Sequence, residues 1–282
     1  MKKKNQKRKI AIGLLRAFLI CLCILLIVAG IAFYRGLTIR TYRISSEKLT
    51  NAEPIRLVVL ADLHSYPYGG TQQPLLAKIN AQNPDAILMV GDMGDDHEPI
   101  RGLVMLLEGI RGIAPSFYVS GNHEAWGNYD EIIRVIRGYG VSVLKGQRET
   151  IELKGQTIQI LGIDDPEYTP DQGYDEIFRP ILGFDPNYYT ILMAHRPEPF
   201  LTYSHYGFDL VLSGHTHGGQ VRIPFFSNGL YAPNQGWNPP YVGGYYQHEN
   251  TEMIVSRGLS YNPTLPRVFN PPEIVVVELT GK

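Results

Sequence analysis

The sequence predicts an α/β domain with two β-sheets packed on each other and helices outside both, preceded by one apolar N-terminal helix. Short apolar runs alternate with helical stretches between residues 55 and 139, which predicts a mainly parallel sheet. Later apolar runs are mostly followed by turns, which predicts a second, mixed sheet. An uncharged stretch at 17–34 predicts a helix that is separate from the domain.

The N-terminal stretch 17–34 holds 18 uncharged residues, enough for a helix to cross a bilayer core. Residues 1–16 carry seven Lys and Arg and no acidic residue, whereas only Arg35 and Arg40 follow closely. The positive-inside rule therefore predicts a single-pass cell-membrane protein with a cytoplasmic N-terminus and an extracytoplasmic domain. A cleaved signal peptide is the alternative, although its small-residue site, Gly30-Ile31-Ala32, is weak. A buried core helix would not explain the step in charge.

The sequence divides into four parts. Residues 1–16 form a basic cytoplasmic segment, 17–34 the transmembrane anchor, 35–54 a lead-in strand or linker, and 55–282 the main domain. Within the lead-in, 36–44 looks extended, and 224–250 looks like an irregular surface excursion. We expect helices near 72–82, 99–110 and 129–139, and strands at 55–60, 86–90, 117–119, 151–153, 157–163, 189–194, 208–213, 252–256 and 274–279.

Charge and cysteine content exclude several kinds of function. The whole chain has 26 basic and 27 acidic residues, and without the seven basic residues of 1–16 the remainder carries a net charge near −8. An acidic body of this kind argues against nucleic acid as a partner. The two cysteines, Cys21 and Cys23, both lie in the apolar stretch. The domain therefore has no disulfide framework and no zinc–thiolate site.

Residues that can bind metal follow the predicted strands repeatedly. Five of the eight histidines stand at such strand ends, together with two aspartates and an asparagine. The carboxyl ends of strands form the ligand crevice in open α/β sheets, so these side chains should converge. A single histidine at a strand end would more often have a structural role. Eight metal-capable residues that all follow predicted strands are hard to attribute to chance. The residues are Asp62, His64, Asp92, Asn122, His123, His195, His215 and His217.

The donor types indicate the class of metal. Imidazole, carboxylate and amide oxygen together suit Mn, Fe, Zn or Ni rather than Ca or Mg. Seven ligands exceed what one such ion needs, so we expect two divalent or trivalent ions that share a carboxylate, with Asp92 as the natural bridge. Two ions about 3.5–4 Å apart can clamp the attacking and leaving oxygens of a displacement at phosphorus.

These residues also occur in blocks that resemble those of the calcineurin-like metallophosphoesterases. The flanking sequences at 195–198, 256–259 and 270–273 resemble those of the membrane-associated branch of this family. That branch includes phosphodiesterase-like proteins and hydrolases of lipid-linked sugar nucleotides. One departure, Ser65-Tyr66-Pro67, stands where that branch more often has a small apolar residue and glycine. The blocks are Asp62-Leu63-His64, Gly91-Asp92-x-x-Asp95, Gly121-Asn122-His123-Glu124, His195 and Gly214-His215-Thr216-His217.

The resemblance implies a four-layer αββα sandwich and a division of the ligands. It gives one metal Asp62, His64, Asp92 and His217, and the other metal Asp92, Asn122, His195 and His215. His123 stays off the metals and faces the substrate as the catalytic residue.

The implied reaction is hydrolysis of a phosphate ester. A hydroxide that bridges the ions would attack phosphorus, and His123 would protonate the leaving oxygen. Asp95 or Glu124 could hold His123 or a ligand histidine in its tautomer, with a surface or capping role as the alternative for each. Arg196 and Arg257 could bind substrate phosphate, although a structural ion pair explains each equally well. The aromatic stretch 231–246 could form a pocket wall, a membrane-facing rim or an ordinary loop.

The sequence therefore predicts a membrane-anchored phosphoesterase with two metal ions, acting on phosphate mono- or diesters. A lipid or lipid-linked pyrophosphate is a candidate substrate, because the short tether keeps the site near the bilayer. The alternative is a tethered, non-catalytic metal-binding scaffold. The oligomeric state is not predicted.

Overall fold

The computed structural model describes residues 2–261 and 266–282, and in these residues two six-stranded sheets lie between layers of helices. The spatial order of the first sheet is β1 (Thr38–Ser46), β14 (Glu273–Gly281), β2 (Ile55–Leu60), β3 (Ala86–Val90), β4 (Ser116–Val119) and β5 (Ser142–Val143). In this sheet β2 to β5 run parallel, β14 is antiparallel to β2, and β1 is parallel to β14.

The second sheet has four parallel strands with an antiparallel strand at each edge. A separate two-stranded hairpin, β10 (Tyr231–Ala232) with β11 (Gly236–Trp237), lies outside both sheets. The spatial order of the second sheet is β12 (Gly244–His248), β13 (Thr251–Val255), β9 (Leu210–Ser213), β8 (Tyr189–Met193), β7 (Gln156–Gly162) and β6 (Gln147–Leu153).

Three hydrophobic clusters correspond to the three interfaces of a four-layer sandwich. In β2, Leu57 and Val59 belong to the cluster between the sheets, whereas Val58 and Leu60 face the first helical layer. This alternation follows from the two-residue period of a strand. The predicted αββα fold is thereby confirmed. The helices outside the first sheet are α2 (Gln73–Asn80), α3 (Arg101–Ile110), α4 (Asn122–Trp126) and α5 (Tyr129–Gly138), and α6 (Tyr174–Phe178) and α7 (Phe200–His205) cover the second.

The N-terminal helix α1 spans Lys2–Ala32, and its segment Lys9–Ala32 is long and apolar enough to cross a membrane. Five residues separate α1 from β1, and one of them, Leu37, is buried in the core. The backbone N–H of Phe269 donates to the carbonyl of Ala32 (2.7 Å). The end of the apolar helix is therefore tied directly to the domain.

The lead-in, predicted to be extended over 36–44, forms β1, which pairs with β14 over nine residues as an edge strand. One segment is more ordered than the sequence indicates. The excursion 224–250 contains the hairpin β10–β11 and the edge strand β12, so its description as irregular is wrong in part. Both edge strands lack a continuous apolar run, because one face of each is open to solvent.

Candidate metal centre

The candidate metal ligands lie at one edge of the sandwich. Asp62, Asp92 and Asn122 follow β2, β3 and β4, which are parallel, and His195 and His215 follow β8 and β9, which are also parallel. Parallel strands present their carboxyl ends on one side, so the loops converge there.

The first donor group consists of Asp62, His64 and His217. The Nε2 atoms of His64 and His217 are 3.2 Å apart, and the His217 Nε2 lies 3.8 Å from Asp62 Oδ1. Two ring nitrogens and a carboxylate oxygen thus converge on one point. This is an arrangement that a cation stabilises.

The second donor group consists of Asp92, His195 and His215. His195 Nε2 lies 3.1 Å from Asp92 Oδ2, and His64 Nε2 of the first group lies 3.7 Å from the same oxygen. Asp92 is therefore within reach of both groups. Asn122 is buried, and its side-chain oxygen has no hydrogen-bond partner within residues 2–261 and 266–282.

Three buried donor atoms test whether the site fits a metal. Asp62 Oδ2, Asn122 Oδ1 and His195 Nε2 are buried without a hydrogen-bond partner among the described residues. A buried polar atom without a partner costs about 1–3 kcal/mol. All three belong to the predicted ligand set: the two oxygens have lone pairs available, and His195 Nε2, 3.1 Å from Asp92 Oδ2, offers one when the ring is neutral. The residues therefore fit a pair of metal ions.

Contacts behind the rings aim the histidines. His195 Nδ1–H donates to the carbonyl of Val90 (2.8 Å), and His64 Nδ1–H donates to Asp95 Oδ2 (3.0 Å), so both Nε2 atoms are left for the site. His215 uses Nε2 toward the side-chain oxygen of Asn234 (2.9 Å), which leaves its Nδ1. Such partners fix the tautomer and orientation of ligand histidines.

The electrostatics of the buried groups favour a cation. Burial raises the pKa of Asp62. Burial, helped by nearby His195, lowers the pKa of His215 to about 4, and burial with the neighbouring His64 holds the pKa of His217 well below its usual range. Burial opposes a charge on His195 too, but Asp92 raises the His195 pKa to about 10. Neutral His215 and His217 are in the metal-binding form, and the buried carboxylates call for positive charge beside them.

The backbone at the ligands is strained. The φ angles of Asp62, His64 and Asp92 are 51°, 48° and 50°, and those of His215 and His217 are 70° and 47°. Residues other than glycine rarely adopt this region, at a cost of about 1–3 kcal/mol each. Hydrogen bonds between the loops hold the conformation, including His64 N–H to the carbonyl of Asp92 (2.9 Å) and His215 N–H to Asp62 Oδ1 (2.8 Å).

Close approach explains the glycine that precedes two of the ligands. A Cβ on Gly121 would lie 2.2 Å from Asp92 Oδ1, and a Cβ on Gly91 would lie 2.3 Å from His195 Nδ1. Gly91 also has a φ of 77°. A side chain at either position would push a donor out of place.

His123 lies beside the first donor group. Its ring centroid is 4.4 Å from that of His64, and its backbone N–H donates to Asp92 Oδ1 (2.9 Å). Its Nδ1 donates to Asp96 Oδ1 (2.7 Å), while Asp95 Oδ2 is 3.7 Å away. Asp96 thus holds the His123 ring, and Asp95 holds that of His64.

Among the residues that the structure describes, Glu124 does not contact a histidine ring through its hydrogen bonds, as the tautomer-fixing role would require, but binds backbone N–H groups. The carboxylate is fully buried and accepts the backbone N–H groups of Asp92 (3.0 Å), Gly94 (2.8 Å) and Gly121 (2.8 Å). These bonds fix the loop after β3 against the start of α4. The capping alternative describes Glu124 better, because its oxygens are used by the backbone.

The two predicted substrate arginines are buried in ion pairs. Arg196 donates to both carboxylate oxygens of Asp165 (2.8 Å each) and to Glu167 (3.1 Å). Arg257 Nη1 lies 3.5 Å from Glu273 Oε2. Neither guanidinium lines the cavity described below. The ion-pair alternative therefore fits both, because their carboxylate partners are already in place.

Three site residues were not identified from the sequence: Asp96, Asn234 and Arg267. Arg267 is buried, donates to the carbonyls of Arg257 (2.6 Å) and Ser260 (3.0 Å), and has Nη2 3.3 Å from His217 Nδ1. These residues come from loops and follow no spacing rule, apart from Asp96, which is adjacent to Asp95.

A cavity of about 630 Å³ opens at the first donor group. His64, His217 and His123 line its inner end, with Arg267 beside them. Phe33 and Arg35, which come directly after α1, also line the cavity. The hydroxyl of Tyr261 donates to the carbonyl of Arg35. The cavity thus connects the metal centre with the base of the apolar helix.

The family model for the calcineurin-like phosphoesterases matches residues 55–219, which include every candidate metal ligand. The chain belongs to the calcineurin-like phosphoesterase family. It is 32% identical over 237 residues to an uncharacterized metallophosphoesterase of Campylobacter jejuni, covering 81% of this chain and 60% of that relative. The chain therefore spans less than two thirds of that protein.

Two further relatives extend the comparison. The uncharacterized metallophosphoesterase YkuE of Bacillus subtilis is 28% identical, over 79% of this chain and 78% of the relative. A transmembrane protein with metallophosphoesterase domain from Bos taurus is 29% identical, over 73% of this chain and 49% of its own length. Members of the calcineurin-like phosphoesterase family thus match most of the described domain.

Proposed function

We propose that the chain is a membrane-anchored phosphoesterase with two metal ions that hydrolyses phosphate mono- or diesters. The observation that carries this proposal is the position of Asp92, whose Oδ2 is 3.1 Å from His195 Nε2 and 3.7 Å from His64 Nε2. One carboxylate thus stands between two separate donor groups. One ion would be held by Asp62, His64, Asp92 and His217, and the other by Asp92, Asn122, His195 and His215.

The ions, when bound, would supply an activated water and neutralise charge on the phosphoryl oxygens. The residues of the chain do the remaining work. His123 lies at the inner end of the cavity and donates a proton to the leaving oxygen, while Asp96 keeps its ring in position. Arg267 adds a buried positive charge beside the site.

The proposed anchor is the segment Lys9–Ala32, with the N-terminus in the cytoplasm and the domain outside. Its apolar side chains are not buried against the domain, and basic residues precede it. The bovine relative is named as a transmembrane protein, which supports the anchoring but not its direction. Charge asymmetry across the helix gives the direction.

A lipid phosphate or a lipid-linked pyrophosphate is the substrate class that the topology favours. Because β1 is antiparallel to β2, its first residue, Thr38, lies at the edge of the sheet where β2 ends and the ligands begin. The helix α1 therefore reaches the domain on the catalytic edge. The cavity continues to Phe33 and Arg35 at the base of α1, where a headgroup would arrive from the bilayer.

The experiment uses the full chain in nanodiscs with added Mn²⁺. We expect hydrolysis of p-nitrophenyl phosphate or bis-p-nitrophenyl phosphate, and faster hydrolysis of phosphatidic acid or a lipid-linked pyrophosphate placed in the same disc. A preference for UDP-sugars in solution over both lipids would overturn the lipid part. An absence of hydrolysis with both ions bound would favour a non-catalytic scaffold.

The Asp92→Asn chain tests the shared ligand. A carboxamide has one oxygen and cannot bridge as a carboxylate does, so the occupancy of both ions should fall in elemental analysis. Two ions retained at natural occupancy would exclude Asp92 as the bridge. Asp171→Asn, at an exposed position without a contact to the donor groups, is the matched control and should keep both ions.

A further inference from the structure

An apolar finger, defined as residues 221–229, projects from the surface next to the metal centre. Phe225 is fully exposed, Phe226 is 88% exposed and Ile223 is 47% exposed. Adjacent large apolar side chains in full contact with water usually mark an interaction site. Phe225 also has a φ of 70°, a conformation that is unfavourable for a bulky residue.

The finger is a closed element with a fixed tip. Ile223 N–H donates to the carbonyl of Ser227 (3.1 Å), and Ser227 N–H donates back to the carbonyl of Ile223 (2.9 Å). The Arg222 guanidinium donates to the carbonyl of Asn228 (3.0 Å). These bonds hold the two phenylalanines out on a short turn, so their exposure is built into the backbone.

The base of the finger lies beside the end of α1. Val221 is bridged to Val268, and the next residue, Phe269, donates its backbone N–H to the carbonyl of Ala32 (2.7 Å). Four residues lead from Val221 to Phe225 and span at most about 14 Å when fully extended. The tip therefore stays close to the point where the apolar helix meets the domain.

More aromatic surface adjoins the finger. Tyr231 and Trp237 are 47% and 73% exposed, and their ring centroids are 5.5 Å apart on the hairpin β10–β11. The hairpin follows the finger directly, and Leu230 N–H donates to the carbonyl of Gly219 (3.1 Å), next to the start of the finger. Tyrosine and tryptophan favour the membrane–water interface, and phenylalanine favours the apolar side of it.

We infer that the finger inserts Phe225 and Phe226 into the same bilayer that α1 spans, with Tyr231 and Trp237 at the headgroup level. This inference rests on the proposed anchoring by α1. A single helix followed by a short connection would let the domain tilt, whereas a second contact fixes the orientation. The cavity that runs from Phe33 to the metal centre is then held with its mouth at the bilayer surface.

The test uses full chains in nanodiscs whose lipids carry bromine on the acyl chains, because bromine quenches tryptophan only at short range. The background is Trp126→Phe with Trp237→Phe, which removes both natural tryptophans. One chain adds Phe225→Trp. The control adds Tyr188→Trp, which is 40% exposed and precedes β8, at the edge opposite the metal centre.

We expect brominated lipids to remove most of the emission of the Phe225→Trp chain and to leave that of the Tyr188→Trp chain unchanged. Equal quenching of the two, or none of Phe225→Trp, would overturn the inference. If the emission of the Phe225→Trp chain changes with the number of chains per nanodisc but not with bromine, the finger contacts a second copy of the chain. This result would also overturn the inference. Hydrolysis of p-nitrophenyl phosphate by the natural chain is measured separately, so loss of the proposed activity and loss of docking are distinguishable.

Discussion

His123 lies next to the candidate ligand His64, its backbone N–H donates to Asp92, and its ring nitrogen Nδ1 binds Asp96. In the His123→Ala chain we expect turnover to fall by about 10²–10⁴, the usual contribution of a proton donor, with metal content close to that of the natural chain. Steady-state rates and elemental analysis measure the two effects. Loss of metal together with activity would mean that His123 is a ligand.

Two adjacent carboxylates have separate tasks at this site. Asp95 binds the His64 ring at 3.0 Å, and Asp96 binds the His123 ring at 2.7 Å. We expect Asp95→Asn to weaken binding of one ion by about 10–100-fold, the usual effect of removing a partner behind a ligand. Asp96→Asn should instead lower turnover and leave both metal affinities unchanged. Metal titration and steady-state kinetics of the two variants measure these effects, and each variant serves as the control for the other. A loss of metal affinity in Asp96→Asn, or a loss of turnover alone in Asp95→Asn, would contradict these separate roles.

Sequence reasoning brought the eight strand-end residues together because the position after a parallel strand determines where a side chain lies. Asp62 and Asp92, for example, could be placed side by side from the order of their strands, whereas the grouping of Asp92 with His195 was implied by the family resemblance. Asn234 and Arg267 could not be found in this way. They reach His215 and His217 from loops whose path depends on tertiary packing. The tandem Asp95-Asp96 was visible, but the ring that each one holds depends on side-chain geometry.

The central strands were predictable because both of their faces are covered, which requires a run of apolar residues such as Ile87–Val90. The edge strands lack a continuous apolar run: β12 resembles a loop, and β1 could be predicted as extended but not as part of a sheet. For β1, long-range pairing with β14 decides the structure. Local sequence carries little information on such a partner.

The strand β1 is expected to be necessary for folding, because it covers the edge of β14 with nine paired residues. A chain that starts at residue 36 should fold and unfold cooperatively, whereas a chain that starts at residue 47 should be strongly destabilised and aggregate through the open edge. Urea unfolding monitored by circular dichroism compares the two. Equal stability would show that β1 is dispensable.

The proposed orientation of the whole molecule rests on the charge step across α1. We expect protease added to intact spheroplasts to digest the domain, because it should lie outside the cytoplasm. Placing several lysines after residue 34 and replacing those before residue 10 should invert the protein and protect the domain. Immunoblotting of the protected fragments gives the readout. Protection of the natural chain would contradict the proposed topology.

The pairing of β1 with β14 joins positions that are 235 residues apart, as between Arg43 and Glu278. During synthesis β1 emerges long before β14, so it waits for almost the entire domain to be made. Contacts of such long sequence separation form late. The growing chain therefore carries an unpaired strand until β14 arrives, and we expect this interval to be when the protein depends most on chaperones.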